Sequence, residues 1–229
     1  MDTILITGTN RGIGLGLLKR YLEAGKTVYA TARKPSEIEA FQALAAQFGD
    51  SFRPLALDLE EDASIHALVT QLEGVTLDAL IHNAACCLDE GLGEWTAAGM
   101  EKTFRVNVVA IALLTQALLT QVKDGGKIIH ISSGAGSMAL NINPLAPMDV
   151  YTMSKAALNI YSLRLAEKLR ERGIVVVAMS PGWVRTDMGG PEATASIEEA
   201  TKDLVQTING LAVQDSGRFI SERGETIPW

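Results

Sequence analysis

The sequence has few cysteines, no surplus of basic residues and no long apolar run. Its two cysteines, Cys86 and Cys87, are adjacent, so they cannot join distant segments through disulfides and they fit a reducing compartment. A formal net charge of −7 argues against a nucleic-acid binder, since phosphate contacts need clustered Lys and Arg. The apolar stretch 106–114 is too short to span a bilayer, and 1–4 does not resemble a signal peptide. We therefore expect a cytoplasmic protein without nucleic-acid or membrane partners.

Strand-like runs alternate with helical patterns along the whole chain, with no linker between them. This alternation is typical of a parallel sheet with crossover helices, and ligands bind such sheets at the carboxyl ends of the strands. The sequence predicts an α/β fold in which residues 1–229 form a single-domain Rossmann fold, a doubly wound seven-stranded parallel sheet with helices on both faces. The predicted strands are Ile4–Ile6, Thr27–Thr31, Leu55–Leu57, Ala79–Ile81, Lys127–Ile131, Ile174–Met179 and Arg218–Ile220.

Helical periodicity marks the segments between these strands. Ser36 and Glu39 match a capping box, which predicts that a helix begins there and runs to about Phe48. Further helices are predicted over Ile13–Leu22, from about Met100 to Leu119, from about Val150 to Glu171, and from Ser196 to about Leu211.

Three glycines in the loop after the first predicted strand indicate a dinucleotide-binding turn. Glycine lets the backbone approach a pyrophosphate closely, and free N–H groups at the start of the next helix would hold its charge. The spacing reads G-x-x-x-G-x-G and lacks the Lys-Ser/Thr ending of a nucleoside-triphosphate loop. An ordinary strand-to-helix turn is the alternative. The predicted cofactor-binding residues here are Gly8, Asn10, Arg11, Gly12, Ile13 and Gly14.

The second predicted strand ends without the carboxylate that would bind the ribose 2′-hydroxyl of NAD. Arg33 stands there instead, and together with Arg11 it would bind a 2′-phosphate through charge-assisted hydrogen bonds. The sequence therefore favours NADP(H) over NAD(H). Solvated arginines on a surface loop are the alternative interpretation.

Tyr151 and Lys155 lie one turn apart on the same face of a predicted helix. A free tyrosine titrates near ~10, and a neighbouring ammonium favours its phenolate. The pair therefore predicts a phenol that acts as acid and base near neutral pH. A surface Tyr and Lys at a common spacing is the alternative.

Taken together, these motifs resemble the short-chain dehydrogenase/reductase family over essentially the whole chain, and within it the small carbonyl reductases and the bacterial C-factor type. The resemblance implies that the catalytic residues are Asn107, Ser133, Tyr151 and Lys155. It also implies cofactor contacts from Asp58 and Leu59 at the adenine, from Asn83, Ala84 and Ala85 after the fourth strand, from Tyr151 and Lys155, and from Pro181, Gly182, Val184 and Thr186 at the nicotinamide. Ala85 departs from the family, in which glycine is usual at this position.

The activity implied by the resemblance is hydride transfer between NADP(H) and a ketone, an aldehyde or a secondary alcohol, with Tyr151 as acid and base. An NAD(P)-binding signalling or redox-sensing protein with little turnover is the alternative. The long apolar helices around 100–119 and 150–171 are compatible with a homodimer or homotetramer. The three histidines show no metal-ligand spacing, so no metal site is expected.

Several residue roles remain open from the sequence alone. Ser132 or Ser137 could replace Ser133, because the gap from Ser133 to Tyr151 is longer than is common in the family. Asn107 could serve only to satisfy a neighbouring backbone group, and Asn83 could cap strand ends without touching the cofactor. Asp58 could cap the next helix or lie solvated in a loop. Segment 134–149 supplies apolar side chains that suggest an apolar substrate pocket: Met138, Leu140, Ile142, Leu145 and Met148. The direction of Arg185 is open.

Overall fold

The computed structural model describes residues 2–229 and contains one seven-stranded sheet. The strand order is β3-β2-β1-β4-β5-β6-β7, and every neighbouring pair is parallel. The predicted doubly wound parallel sheet is therefore confirmed. The strands are β1 (Thr3–Ile6), β2 (Thr27–Ala32), β3 (Phe52–Ala56), β4 (Leu77–His82), β5 (Val122–Ile131), β6 (Val175–Met179) and β7 (Phe219–Ile220).

Helices cover both faces of the sheet and bury two separate apolar layers. Side chains of α1, α2 and α7 pack on one face, and those of α3, α5 and α6 pack on the other. Strands β4 and β6 are buried at every residue, which explains why Ala79–Ile81 in β4 and the whole of β6 are continuous apolar runs rather than alternating ones. The helices are α1 (Gly12–Glu23), α2 (Glu39–Phe48), α3 (Asp62–Gln71), α4 (Ala97–Phe104), α5 (Ala110–Leu118), α6 (Asp149–Lys168) and α7 (Ile197–Gly210).

The predicted capping box at Ser36 is wrong. Pro35–Glu37 forms a short 3-10 turn, and Ile38 in an extended conformation separates this turn from α2, which has no side-chain cap. Proline favours the start of such a turn, so the chain turns before the helix begins. A capping box does occur at Ser196 and Glu199, where α7 begins.

The predicted helix over 100–119 is interrupted. A π-helical segment, Arg105–Val109, joins α4 to α5 and carries Asn107 inward, where its side chain is fully buried. Segments of this kind occur frequently at functional sites, because they change the direction of a side chain within a continuous helix.

Within the described residues, 2–229, none of the helices is long and apolar enough to cross a membrane. In the same range, no three or more His, Cys, Asp or Glu residues are grouped so that they could hold a metal ion.

Candidate active site

The order of the strands reverses between β1 and β4, which opens a crevice at their carboxyl ends. The loop after β1 borders this crevice and is fastened to the end of β4 by Asn83. The amide nitrogen of Asn83 donates to the carbonyls of Thr7 and Gly8, both at 3.0 Å. The Thr7 hydroxyl accepts from the backbone N–H of Asn83 and of Ala84, both at 3.1 Å. Asn83 therefore fixes the conformation of the glycine loop.

The glycines of this loop permit contacts that a larger residue would prevent. A Cβ atom on Gly8, which has a φ of +69°, would lie 2.8 Å from Cα of Ala84. A Cβ on Gly14 would lie 2.1 Å from the carbonyl oxygen of Gly8. Helix α1 then begins at Gly12 with no side-chain cap and no acidic residue in its first turn. N–H groups of that turn are therefore available to an anion, which fits the pyrophosphate of a dinucleotide.

Arg11 and Arg33 are both exposed at the crevice side of the sheet, beyond the ends of β1 and β2. Arg11 forms an ion pair with Asp187, which follows β6. This contact was not anticipated from the sequence. Asn10 is exposed beside Arg11, and Ile13 is partly buried against the core. The predicted role of the two arginines at a 2′-phosphate stays a prediction, and Arg11 is already paired with Asp187.

Tyr151 and Lys155 lie near the start of α6 and are both buried, with 8% and 1% of their surface exposed. Lys155 Nζ is 5.5 Å from the centroid of the Tyr151 ring and donates to the carbonyl oxygen of Ile131, at 2.8 Å. Since Ile131 ends β5, this hydrogen bond fixes the lysine at the carboxyl edge of the sheet. The predicted proximity of the phenol and the ammonium is present.

The predicted effect of Lys155 on Tyr151 is wrong for the protein alone. Burial raises the pKa of Tyr151 to about 12, against the opposing effect of the Ser133 hydroxyl. Burial also lowers the pKa of Lys155 to about 8. Removal from water disfavours both charged forms, the phenolate and the ammonium. At neutral pH the phenol therefore carries its proton.

Among the three candidate serines, only Ser133 faces the phenol. Its hydroxyl lowers the pKa of Tyr151, and it is partly exposed at the end of β5. The Ser132 hydroxyl donates to Asn159 Oδ1 at 2.6 Å, and the Ser137 hydroxyl donates to the carbonyl of Pro228 at 2.6 Å. Both of these serines are buried, so the geometry favours Ser133.

All hydrogen-bonding groups of the Asn107 amide are used inside the protein. Its oxygen accepts from the N–H of Cys86 at 2.7 Å, and its nitrogen donates to the carbonyl of Cys86 at 2.8 Å and to the Ser154 hydroxyl at 2.9 Å. Asn107 thereby joins the π-helical segment, the loop after β4 and helix α6. The structural role considered for this residue is present, and a role in a proton relay stays a prediction.

The predicted adenine contacts lie in the turn between β3 and α3. Asp58 Oδ1 accepts from the N–H of Glu60 at 3.0 Å, and the Asp58 N–H donates to the Ser64 hydroxyl. Leu59 is buried, and its carbonyl accepts from Arg105 Nε at 3.0 Å. Asp58 therefore stabilises the turn rather than capping α3, whose N-cap residue is Glu61.

The segment after β6 approaches the glycine loop. Pro181 and Gly182 are its first residues after Ser180, Val184 is buried, and a Cβ on Gly12 would lie 3.5 Å from the Thr186 methyl group. The Arg185 guanidinium donates to the carbonyls of Ala193 and Thr194, within the same segment. The segment therefore lies beside the glycine loop, and its Arg185 is held by backbone carbonyls.

Two pairs of side chains, His82 with His130 and Cys86 with Cys87, lie at or just after the carboxyl ends of β4 and β5. His82 and His130 are opposite each other on β4 and β5, with ring centroids 5.2 Å apart. His82 Nε2 lies 2.8 Å from Thr115 Oγ1, and His130 Nδ1 lies 2.7 Å from Ser162 Oγ. Cys86 and Cys87 are free and half-buried, and burial raises the pKa of the Cys87 thiol to about 11. Such a thiol is a weak nucleophile at neutral pH.

Comparison with known proteins identifies the family. Residues 2–196 match the family model for short chain dehydrogenases. C-signal from Myxococcus xanthus is 36% identical over 168 residues, which are 72% of this chain and 100% of C-signal. The NADPH-bound carbonyl reductase from chicken fatty liver superimposes with a TM-score of 0.94 at 32% identity, covering 100% of this chain and 99% of that chain. The carbonyl reductase Sniffer of D. melanogaster gives a TM-score of 0.94 at 30% identity and full coverage of both chains.

The fold and the crevice, together with these comparisons, define an NAD(P)-dependent oxidoreductase. The chain belongs to the short chain dehydrogenase family.

Proposed function

We propose that the protein is an NADP(H)-dependent reductase of ketones and aldehydes, which also oxidises the corresponding secondary alcohols. The observation that supports this most directly is the convergence of Tyr151, Ser133 and Lys155 at the carboxyl end of β5, beside the uncapped start of α1. Two carbonyl reductases of known structure share the whole fold. NADP(H), when bound, supplies or accepts the hydride.

Four side chains supply the proton and position the substrate and the cofactor. Tyr151, protonated at neutral pH, donates its proton to the carbonyl oxygen as negative charge develops there. Ser133 donates a hydrogen bond to the same oxygen and orients the substrate. Lys155 holds the nicotinamide ribose, and Asn107 keeps the loop after β4 in register with α6 and supports a water chain toward solvent.

We propose that residues 1–229 act as a single unit, because the proposed cofactor contacts and the catalytic residues are drawn from strands and loops across the one sheet. Glycine-loop amides bind the pyrophosphate, and Arg11 and Arg33 bind the 2′-phosphate. The proposed contacts are Gly8, Asn10, Arg11, Gly12, Ile13, Gly14, Arg33, Asp58, Leu59, Asn83, Ala84, Ala85, Tyr151, Lys155, Pro181, Gly182, Val184 and Thr186.

The walls of the crevice favour a neutral, largely apolar carbonyl compound. Segment 134–149 contains no Lys or Arg, and Arg185 is held by the backbone carbonyls of Ala193 and Thr194. Apolar side chains are exposed in both walls, by Met138, Leu140 and Ile142 in segment 134–149 and by Met188 in segment 187–197. A carboxylate on the substrate would find no fixed cation in either wall, so esters should be better substrates than the matching acids.

The decisive experiment follows nicotinamide absorbance while a panel of neutral ketones and aldehydes is added with NADPH or NADH. Wild-type protein should consume NADPH, and Tyr151→Phe should abolish turnover while NADPH binding stays close to wild type, because the ring is kept and only the proton donor is lost. A Tyr151→Phe variant with wild-type rates would remove the tyrosine from this role.

NADP(H) preference has its own test. Arg33→Asp should weaken NADPH binding much more than NADH binding, since only NADPH carries the 2′-phosphate. Arg53→Asp, which changes an exposed arginine paired with Asp50, serves as the control. Equal loss of affinity for both cofactors on Arg33→Asp would refute the assignment.

A signalling or redox-sensing role is the second candidate, and the identity to C-signal is the observation that favours it. A sensor would bind NADPH and show little turnover with every carbonyl compound in the panel. The absorbance experiment therefore separates the two functions directly.

We also propose a homodimer or homotetramer that forms through α5 and α6. Each of these helices exposes apolar side chains at helical spacing, so that they share one face. The residues are Val109 and Leu113 in or beside α5, and Met153, Ile160 and Leu163 in α6. Light scattering that detects only a 24.5 kDa species would contradict this proposal. A cytoplasmic location stays a prediction from the two free, adjacent cysteines.

A further inference from the structure

The segment 226–229 returns along the outer side of β7 after a turn at Ser221–Gly224. Thr226 forms an antiparallel bridge with Ile220, and the N–H of Ile227 donates to the carbonyl of Phe219 at 2.8 Å. Arg218 also donates to the Thr226 hydroxyl at 2.7 Å. The segment is thus fixed to the sheet edge at its beginning.

The end of this segment contacts the loop that follows the catalytic serine. The Trp229 ring stacks on Phe219 with centroids 5.5 Å apart and an interplanar angle of 25°. The Trp229 carbonyl accepts from the N–H of Ala139 at 2.9 Å, and the Pro228 carbonyl accepts from the Ser137 hydroxyl at 2.6 Å. Phe219, which is 1% exposed, therefore provides a rigid base from which Trp229 reaches the loop.

Loop 137–142 has little else to hold it. Met138 is 80% exposed, and Ala139, Leu140 and Asn141 are also exposed, so this part of the loop lacks a buried apolar anchor. Ser137 is the exception, since its hydroxyl also accepts from the N–H of Leu140 at 3.1 Å. The hydrogen bonds to Pro228 and Trp229 therefore determine where the loop lies.

The same loop adjoins the chain segments that carry the proposed catalytic residues. A Cβ on Gly136 would lie 2.8 Å from the carbonyl carbon of Lys155, so the chain just before the loop packs on α6 at the catalytic lysine. The Ile142 side chain packs against Gly134, next to Ser133; a Cβ on Gly134 would lie 3.0 Å from its Cδ1 atom. A shift of loop 137–142 would change the wall beside Ser133 while leaving the glycine loop untouched.

We infer that the segment 226–229 positions loop 137–142 as a wall of the substrate site, and that Trp229 is a positioning residue for the carbonyl substrate. The inference rests on the proposed reductase function, which places the substrate beside Ser133 and Tyr151. Trp229 touches neither the cofactor-binding loop nor the phenol, so it acts on substrate binding and not on the proton transfer.

The test compares Trp229→Ala with Trp229→Phe in steady-state kinetics and NADPH titrations, well below the melting temperature of each variant. Trp229→Ala keeps the backbone carbonyl but removes the ring that stacks on Phe219, so the segment loses its anchor and the hydrogen bond to Ala139 weakens. KM for the carbonyl substrate should rise roughly fivefold, the factor expected for the loss of one net hydrogen bond, with little change in kcat or NADPH affinity. Trp229→Phe keeps an aromatic ring on Phe219 and should restore KM to near the wild-type value.

Ser137→Ala provides a second variant that removes the other contact without touching the aromatic stack. It should raise KM as Trp229→Ala does, and the double variant should lose less than the product of the two single effects, because both changes release the same loop. A Ser137→Ala variant that loses kcat at unchanged KM would overturn the inference, since it would place that hydroxyl in the chemistry.

Hydrogen exchange at Ala139 and Leu140 gives a readout that needs no turnover. Both amides should exchange faster in Trp229→Ala than in wild type, while amides of the glycine loop keep their rates. Unchanged exchange together with unchanged KM would overturn the inference even if the wild type is an active reductase. A wild-type protein inactive toward every carbonyl compound would instead contradict the proposed function.

Discussion

At the scale of single residues, burial is the dominant influence on the proposed catalytic group. Tyr151 is held protonated because its phenolate would lie in a site closed to water, and a lysine one turn away does not compensate for this in the protein alone. A protonated phenol suits carbonyl reduction, in which Tyr151 must give up a proton. The reverse reaction needs the phenolate, so the two directions should respond differently to pH.

We expect carbonyl reduction to be nearly independent of pH between about 6 and 8, whereas kcat/KM for alcohol oxidation rises close to tenfold per pH unit in the alkaline range. The reason is that the phenolate fraction rises tenfold per unit while pH stays below a pKa of about 12. Initial rates in both directions at matched ionic strength provide the measurement. An oxidation rate that levels off near neutral pH would contradict this expectation.

Asp187 is the residue whose effect on cofactor choice is easiest to isolate. Its carboxylate pairs with Arg11, which is also a proposed partner of the 2′-phosphate. Asp187→Asn should therefore tighten NADPH binding by about two- to fivefold, the range expected for release of an exposed ion pair, and leave NADH binding unchanged. Fluorescence titration with both cofactors measures this change.

Glu192→Gln is the matched control, because it removes one exposed negative charge from the same segment without touching Arg11. If Glu192→Gln tightened NADPH binding as much as Asp187→Asn, a general charge effect would explain the result and the competition for Arg11 would be refuted.

At the scale of elements, the start of α1 depends on the absence of a side chain at Gly14. Gly14→Ala would place a methyl group 2.1 Å from the carbonyl oxygen of Gly8 and 2.5 Å from Asn83 Nδ2. We expect this variant to lose most of its NADPH affinity and to unfold at a lower temperature, because the loop must move away from the end of β4. Gly210→Ala at the end of α7, where nothing lies within 4 Å, should be neutral or slightly stabilising.

Thermal unfolding with and without NADPH distinguishes these outcomes. A Gly14→Ala protein that keeps wild-type stabilisation by NADPH would show that the loop tolerates the added methyl group. Loss of stability in Gly210→Ala would instead indicate that any added methyl group is harmful, and the comparison would then carry no information about the loop.

Elements encoded by a local pattern were predictable from the sequence. The apolar runs of β4 and β6, the glycine loop and the spacing of Tyr151 and Lys155 are such patterns, and the structure contains them. The π-helical segment 105–109 was not predictable, because over five residues its apolar pattern hardly differs from that of an α-helix.

Contacts between distant segments could not be read from the sequence. Arg11 and Asp187 are 176 residues apart, and only the parallel arrangement of β1 and β6 brings their loops together. Likewise, no local pattern relates Trp229 to Ala139. Ser36 failed as a capping residue although its pattern equals that of Ser196, because Pro35 starts a different turn there.

At the scale of the whole molecule, the two histidines buried between the sheet and helices α5 and α6 couple folding to pH. Burial lowers the pKa of His82 to about 3. Burial also lowers the pKa of His130 well below its ordinary value, and the charges of His82 and Lys155 lower it in addition. Below pH 6.5 these two histidines bind protons in the unfolded chain but not in the folded chain. Stability is therefore fully present above pH 6.5 and falls as pH decreases toward 3.

We expect urea denaturation to show a loss of unfolding free energy between pH 7 and pH 5, by at most ~1.4 kcal/mol per pH unit for each histidine. His82→Asn should flatten this dependence, whereas His66→Gln, at an exposed position on α3, should leave it unchanged. An identical pH dependence in wild type and His82→Asn would attribute the acid lability to carboxylates instead.

The two outer strands of the sheet have a consequence for how copies of the molecule behave at high concentration. A strand whose amides face outward without partners recruits strands from other molecules, which is how fibrils grow. Along β3, Pro54 interrupts the row of donors because it has no N–H group. Along β7, Thr226 and Ile227 occupy the row themselves. Both edges of the sheet are therefore poor templates for a strand from another molecule.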